Sequence, residues 1–334
     1  MENYTLWKEK LKNVQLPCDD NLDKIEIEQI EFLEHKPIQT ECYRIYDYAY
    51  RFFNDEKIKE ILGENCYFYI STNTSNNGCA KHLDNNYFLI FFKGKIFDNF
   101  KLKEKLINQT ANKKIWLDFF ELQIIQRDKL TRFDPFDFMF LIWNLFTFYH
   151  EVGHFVQFRK GLNDGRLAEL QKKIGGFPNH IRHLIETDSD LFASKMLCNH
   201  LDFMAKHSPR IAIVSMIGIL YLLLNRIDKL EELKHFHDND KRHPHWFKRT
   251  IYVFRNISET VSAKLNLTKD QELKLWDECF IIVEKLFECD KQENKVTNFF
   301  TLASVKKEEL DRYNESLFST QEQLLFLCYN VFKY

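Results

Sequence analysis

Hydrophobic positions recur along this chain mostly with a helical period, and short β-rich runs are confined to its first third. From Glu41 to Leu62 apolar and aromatic residues follow helical spacing, and Gly63 ends the run. The runs CYFYIST (66–72) and YFLIFFKG (87–94) favour strands. Because the turn-forming segment NTSNNGCAKHLDNN lies between them, the pattern predicts a hairpin or two neighbouring strands. A helical pattern resumes over 97–126.

A long apolar segment in the middle of the chain predicts a central helix. Asp134 is a candidate N-cap, and Pro135 occupies the first helical position, where its missing N–H group costs nothing. The run FDFMFLIWNLFTFYHEVGHFVQFRKG is apolar nearly all round and ends at Arg159, Lys160 and Gly161, a typical helix C-terminus. A helix that is apolar on every side is buried, so we expect this one in the middle of the fold.

Five further helices are predicted after the central one, over 179–207, 211–224, 246–257, 269–289 and 304–332. The predicted fold class is therefore α+β and predominantly helical, with a small β-sheet on the N-terminal side. A composition shift near 115–130 divides the chain into a mixed α/β region, 1–115, and a helical region, 116–334. We expect the first region to contribute strands to a cleft, and the two regions can form one compact unit.

Composition and charge exclude several classes of protein. The chain has 334 residues, is 45% hydrophobic and contains only 9 Gly and 6 Pro, which favours a helix-rich globular protein over disorder. Its net charge of -2 offers no basic field for nucleic acid. The longest apolar run, Ile211–Leu224, is shorter than the roughly 20 residues that span a bilayer, so we expect no transmembrane segment.

The cysteines point to a reducing compartment. All 8 are scattered, and no C-x-x-C pair is present, so we expect reduced, mostly buried thiols. The polar start of the chain lacks the apolar stretch of a secretory signal. These features predict a cytoplasmic protein.

The central helix carries the sequence FYHEVGHFVQ, which contains an H-E-x-x-H motif. His150 and His154 lie one helical turn apart on one face and can offer two imidazole nitrogens to one zinc ion. Glu151 is offset around the helix, where it can act as general base on a water whose pKa the metal has lowered. Gly153 weakens a helix by about 1 kcal/mol relative to Ala. Close approach of another backbone or of a substrate strand would explain it.

A catalytic zinc site needs a third protein ligand and an open position. The third histidine of a metzincin is excluded, since Gln157 and Lys160 stand where the motif requires Gly and His. Downstream, Glu186 and Asp190 share one face of the next helix. Glu186 can ligate the metal, while Asp190 can orient an imidazole. The alternatives to Glu186 that remain open at this point are Asp188, His180 and His183.

Three elements in order give the chain a family resemblance. The H-E-x-x-H motif is followed by Glu186-x-x-x-Asp190 with a trailing Phe-Ala, and RHPHWFKRTI then places His243-Pro244 six residues before Arg249. Across roughly 140–257 this order resembles the gluzincin zinc metallopeptidases. The His-Pro…Arg element is similar to that of the HtpX-like and CAAX-processing membrane gluzincins. With no predicted transmembrane helix, the chain is most similar to the soluble Lit-type phage-exclusion peptidases.

The resemblance implies a gluzincin-like catalytic core and a role for each matched residue. It implies zinc on His150, His154 and Glu186, with Glu151 as general base and later acid, and Asp190 supporting a ligand. It also places His243 at the developing oxyanion, where His245 is an alternative, and Arg249 in the wall of the cleft. An edge strand beside the motif helix would bind extended substrate, and YFLIFFKG is the candidate; a buried core strand is the alternative.

The function implied by the resemblance is that of a zinc-dependent endopeptidase acting in phage defence by abortive infection. Its substrate would be an intracellular protein such as a translation factor, and its activator a phage-derived peptide or protein. Three alternatives remain: an exported toxin or effector metalloprotease, a regulatory protein that retains zinc without proteolysis, and a helical binding protein in which the motif is accidental. A retained Glu151 argues against the regulator, since a structural site needs no base.

Overall fold

The computed structural model describes residues 2–17, 20, 36–75, 78–110, 135–174, 179–205, 209–227, 244–289, 292, 294–319, 324 and 327–328. Within them the fold is predominantly helical with one small sheet. The helices are α1 (Glu2–Leu11), α2 (Lys36–Asn54), α3 (Glu56–Leu62), α4 (Lys93–Thr110), α5 (Pro135–Arg159), α6 (Asp164–Ile174), α7 (His180–Ala205), α8 (Pro209–Asn225), α9 (Trp246–Lys264), α10 (Lys269–Cys289), α11 (Lys295–Val305) and α12 (Lys307–Phe318). The strands are β1 (Cys66–Ser71), β2 (Gly78–Leu83) and β3 (Asn86–Phe92).

The sheet has the order β1-β3-β2. β3 pairs in parallel with β1, from Cys66 opposite Tyr87 onward, and antiparallel with β2. Asp84 and Asn85 join β2 to β3 with φ angles of 48° and 65°, the left-handed pair of a tight hairpin turn. The two strands predicted from the sequence are thus neighbours, but they are parallel, and β2 lies within the segment interpreted as turn residues.

Of the two alternatives for YFLIFFKG, the buried core strand is the one observed, and the edge strand that would bind substrate is not. β3 is the middle strand and its central residues are buried, as its continuous apolar run favours. The edge next to α5 is β2, whose side chains are largely half-buried or exposed.

The central helix is confirmed. α5 begins at Pro135 and ends at Arg159, and Gly161 follows with φ +92°, the left-handed geometry of a helix C-terminus. α5 packs against α4, α7, α8 and β2. Its apolar side chains are buried on all sides: Phe138, Met139, Phe140, Ile142, Trp143, Leu145, Phe146, Phe148, Tyr149, Val152, Phe155 and Val156. Each such side chain stabilises the fold by about 1.5–3 kcal/mol, so packing holds this helix in place.

One hydrophobic cluster runs through both predicted regions, from Trp7 in α1 to Cys328. The predicted boundary at 115/116 lies outside the described residues. α8 is the apolar helix predicted from Ile211–Leu224; it packs on α5, and the Trp143 indole donates to the Gly218 carbonyl at 2.7 Å. Within the described ranges, no helix combines the length and the hydropathy that crossing a membrane requires.

Most of the cysteines whose side chains the structure describes are buried, as predicted. Cys42, Cys66, Cys198, Cys279 and Cys328 are buried, and Cys79 is half-buried.

Candidate metal centre

Two helices bring the predicted ligands together. α5 presents His150 and His154 on one face, with their ring centroids 4.9 Å apart. α7 packs against this face and directs Glu186 between the two rings. The Glu186 carboxylate reaches the Nε2 atom of His150 with Oε2 at 3.3 Å, and the Nε2 atom of His154 with Oε1 at 3.7 Å.

These three residues form the one group among the described residues that meets the geometry of a metal site, with ligand atoms within 4.8 Å of one another. Ligands held tetrahedrally at zinc distances of 2.0–2.1 Å would lie about 3.4 Å apart. The observed spacings around the Glu186 carboxylate fit that value. Two imidazoles and one carboxylate are also a donor set that leaves one position open on a four-coordinate ion.

The His150 imidazole contacts a buried ion pair, formed by Asp190 and Arg249, through its Nδ1 atom. The Nδ1 atom of His150 lies 2.9 Å from Oδ1 of Asp190. Arg249 donates from Nε to Oδ2 of Asp190 at 2.6 Å and from Nη2 to Oδ1 at 2.7 Å. If Nδ1 of His150 donates to the carboxylate, its Nε2 atom carries the lone pair that a metal requires.

The charges of this group set its proton affinity. Burial lowers the pKa of His150, but the carboxylates Asp190 and Glu186 outweigh it and raise that pKa to about 10. For Asp190 burial acts in the opposite direction and raises the pKa. The positive charges of Arg249 and His150 outweigh burial, so the pKa of Asp190 lies below its usual value. Because the two carboxylates raise the pKa of His150, a cation that binds at Nε2 competes there with a proton.

The second imidazole is held by neutral groups. The Nδ1 atom of His154 lies 2.8 Å from Oε1 of Gln157 and 3.2 Å from the hydroxyl of Ser189. Gln157 in turn donates from Nε2 to Oδ2 of Asp188 at 2.8 Å and to the carbonyl of Ile185 at 3.0 Å. Both imidazoles thus have a fixed outer partner, and both present Nε2 to Glu186.

Gly153 lets the two helices approach closely. A Cβ atom at this position would lie 3.1 Å from the Cα atom of Ser189 on α7, tighter than ordinary packing allows. Of the two explanations considered for this glycine, close approach of another backbone is the one observed.

Glu151 stands outside the ligand group and faces the sheet. It is buried, and its side chain lies against Gly78 at the start of β2. A Cβ atom on Gly78 would come within 3.4 Å of Cγ and 3.5 Å of Oε1 of Glu151. The carboxylate therefore lies between the motif helix and the edge strand.

Three predicted residues remain, and each has a different outcome. His243 lies outside the described residues. His245 caps α9, since its Nδ1 atom accepts the N–H of Phe247 at 3.1 Å. Arg249 is buried and pairs with Asp190, the carboxylate that contacts His150.

The alternative ligands are placed elsewhere. Asp188 faces Gln157, and the Nδ1 atom of His183 lies 2.9 Å from the Tyr313 hydroxyl. His180 is buried at the first turn of α7 and is outside the metal group.

Sequence reasoning missed Gln157, Ser189 and Cys328. Gln157 lies three residues after His154 on the same helix face, and this spacing was the available signal for it. Ser189 reaches His154 because α7 packs against α5. Cys328 donates its backbone N–H to Asp188 at 2.7 Å across 140 residues of sequence, and no local pattern encodes that contact.

Comparison of the chain with protein-family models, curated proteins and solved structures finds no match. The chemistry of the site is therefore the basis for a functional proposal.

Proposed function

We propose that this protein is a zinc-dependent peptidase whose centre is the His150, His154 and Glu186 group. The observation that carries the proposal is that each imidazole has its Nδ1 atom engaged and its Nε2 atom turned to one carboxylate. Structural zinc sites are usually closed by four protein ligands, whereas three ligands with a separate carboxylate suit hydrolysis. Glu151 provides that carboxylate.

The chemistry divides between the metal and Glu151. A zinc ion held there supplies a Lewis acid that polarises a carbonyl group and lowers the pKa of a water molecule. Glu151 accepts the proton of the attacking water and then delivers it to the amine of the leaving peptide. Asp190 and Gln157 keep the two imidazoles in place during these steps. The Arg249 side chain keeps Asp190 charged.

Substrate binding follows from the position of β2. This strand is an edge of the sheet, contacts α5 and begins beside Glu151. Within the described residues no strand lies beyond β2, and an extended peptide that pairs with this edge would pass next to the base. The proposal thus moves the substrate strand from β3 to β2.

The biological setting is proposed from the sequence resemblance alone. By that resemblance the protein cuts an intracellular protein such as a translation factor, in response to a phage-derived peptide or protein. Its order of motifs, from H-E-x-x-H through Glu186 to Arg249, supports this setting.

Metal content and one isosteric variant test the proposal. Purified protein should contain about one zinc per chain, lost in His150→Ala and retained in Glu151→Gln, since Glu151 is no ligand. Comparing new N-terminal peptides in cells that express the wild type or Glu151→Gln then tests cleavage and identifies the substrate. Cleavage should fall by at least about 10²-fold in Glu151→Gln.

The outcomes separate the competing functions. A zinc-retaining regulator would keep its biological effect in Glu151→Gln, and an accidental motif would show no zinc in the wild type. Either result contradicts the proposal.

A further inference from the structure

A chain of three hydrogen bonds connects His154 to the far end of the described sequence. His154 meets Oε1 of Gln157 through Nδ1 at 2.8 Å. Gln157 donates from Nε2 to Oδ2 of Asp188 at 2.8 Å. The same carboxylate oxygen accepts the backbone N–H of Cys328 at 2.7 Å. Cys328 lies 140 positions after Asp188 in the sequence, yet through Asp188 and Gln157 it is connected to His154, a proposed zinc ligand.

The Asp188 carboxylate, together with the Ile185 carbonyl that accepts from the same Nε2 atom at 3.0 Å, decides which way the Gln157 amide points. A carboxylate accepts hydrogen bonds and cannot donate them, so it selects the NH2 end of the amide. The amide oxygen then faces His154 and accepts from Nδ1–H, which leaves the lone pair on Nε2, the atom that faces Glu186. If the amide turned round, two oxygens would meet at Asp188 and His154 would lose its acceptor.

Asp188 needs its donors because it is buried, with 2% of its surface exposed. A buried carboxylate that loses a hydrogen-bond donor is destabilised in that position. Cys328 supplies one donor, and its thiol donates a second, weaker hydrogen bond to the Gly153 carbonyl at 3.3 Å. Cys328 therefore contacts α7 through Asp188 and α5 through Gly153, on the side away from Glu186.

The residues next to Cys328 anchor it by apolar contacts. Leu327 is fully buried and Leu324 has 2% of its surface exposed. Both belong to a small hydrophobic cluster that includes Leu184 and Ile185 of α7. The position of the Cys328 N–H is thus fixed by packing as well as by Asp188.

We propose that Cys328, Asp188 and Gln157 are positioning residues that set the affinity of the metal centre by orienting His154. Leu324 and Leu327 hold Cys328 in place for this role. This inference rests on the proposed zinc site and adds a control of its affinity. Removal of the Cys328 N–H leaves all three ligands in the chain but takes one donor from the buried Asp188 carboxylate, which loosens the position of that carboxylate against Gln157.

Two substitutions at Cys328 isolate the backbone donor. Cys328→Pro removes the N–H group, whereas Cys328→Ala keeps it and removes only the thiol. Zinc affinity is measured for the full-length protein by competition with a chromophoric chelator. We expect Cys328→Pro to bind zinc up to about 10-fold more weakly than Cys328→Ala, at the lower end of the effect of losing an outer partner, because Cys328 acts on His154 only through Asp188 and Gln157.

A second pair keeps the test valid if proline at 328 disturbs folding. Asp188→Asn retains an oxygen that can accept from both donors, whereas Asp188→Ala retains none. Asp188→Asn should therefore keep most of the zinc affinity that Asp188→Ala loses. The visible absorption of the cobalt(II)-substituted protein should change in Asp188→Ala and resemble the wild type in Asp188→Asn, because it reports the geometry around the ion.

The results distinguish this inference from the proposed function. Equal zinc affinity in Cys328→Pro and Cys328→Ala, or in Asp188→Ala and Asp188→Asn, overturns the positioning role and leaves the zinc site intact. A wild-type protein that binds no zinc overturns both.

Discussion

Arg249 and Asp190 form a two-point ion pair in the protein interior, with Nε to Oδ2 at 2.6 Å and Nη2 to Oδ1 at 2.7 Å. The same Asp190 carboxylate meets the Nδ1 atom of His150. Arg249 also lies over the Trp246 ring, 4.1 Å from its centroid. The arginine of the His-Pro…Arg element therefore acts on the proposed site through His150.

Arg249→Met should leave the Asp190 charge buried without its cation. We expect the free energy of unfolding to fall by about 3–5 kcal/mol, and zinc affinity to fall by about 10–100-fold because Asp190 no longer holds His150 firmly. Urea unfolding and chelator competition measure the two effects. Arg255→Met is the control on the same helix, since its ion pair with Glu259 is exposed and should matter by less than about 1 kcal/mol. Equal effects of the two substitutions would contradict the assigned role of Arg249.

Gly153→Ala should separate α5 from α7. The added Cβ atom would lie 3.1 Å from both Cα and Oγ of Ser189. We expect a loss of about 1–3 kcal/mol in the free energy of unfolding, the usual cost of overpacking. Gly165→Ala in α6 is the matched control, because its nearest contact is Asn163 Oδ1 at 3.4 Å. There the substitution should be neutral or stabilising by up to about 1 kcal/mol, as measured by thermal unfolding of both variants.

Gly78→Val should displace the base without touching the ligands. Its side chain would press on Thr147 and on Glu151, which lie 3.3 Å and 3.4 Å from an added Cβ atom. We expect cleavage of the cellular substrate to fall by about 10²-fold, since a displacement of about 1 Å is enough for that loss. Zinc content should stay near one per chain. Lys81→Val, on an exposed position of the same strand, should keep normal cleavage. Loss of zinc in Gly78→Val would show that the strand supports the ligands instead.

Lys95 should make stability depend on pH. It lies on the face of α4 that packs on α5, one turn before Asn99, whose amide donates to Asn144 at 3.0 Å. Burial, and then Arg226 and Arg249, lower the pKa of Lys95 to about 7 from 10.5. Between these two pH values the unfolded chain binds the proton and the folded protein does not, so stability contributed by this group rises with pH.

Lys95→Met should therefore stabilise the protein most at or below pH 7. The gain can reach roughly 5 kcal/mol there and should shrink toward zero near pH 10, because the cost of holding the charged amine has then disappeared. Urea unfolding of the variant and wild type at pH 6.5 and 9.5 measures the difference. Lys101→Met, at an exposed position of the same helix, should change stability by less than about 0.5 kcal/mol at either pH. A gain from Lys95→Met that is the same at both pH values would exclude the titration of Lys95 as its cause.

Periodic, self-contained features were predictable from the sequence. The apolar run from Pro135 to Arg159 predicts a buried helix. In a helix His150 and His154 lie on one face. The same spacing rule places Glu186 and Asp190 on one face of α7. It left Asp188, His180 and His183 open as alternatives to Glu186, and the family resemblance favoured Glu186.

Features that depend on tertiary contacts were not predictable. The segment GCAKHL alternates poorly and contains Gly78, so its strand character comes from pairing with β3 and not from its own pattern. The role of Arg249 depends on where α9 meets α7. The spacing of Gln157 from His154 was a usable signal, but the contacts of Gln157 with Asp188 and of Asp188 with Cys328 depend on tertiary packing.

The hydrogen bond from Cys328 to Asp188 also orders events during synthesis. A ribosome adds about 5–20 residues per second, so the 140 residues that separate this pair take roughly 7–28 s to make. During that interval the nascent chain already holds His150, His154, Glu186 and Glu151, but the hydrogen bond from Cys328 to Asp188 has not formed. In a newly made molecule the support of His154 would therefore be completed only after Cys328 has left the ribosome, later than the residues of the proposed metal site themselves.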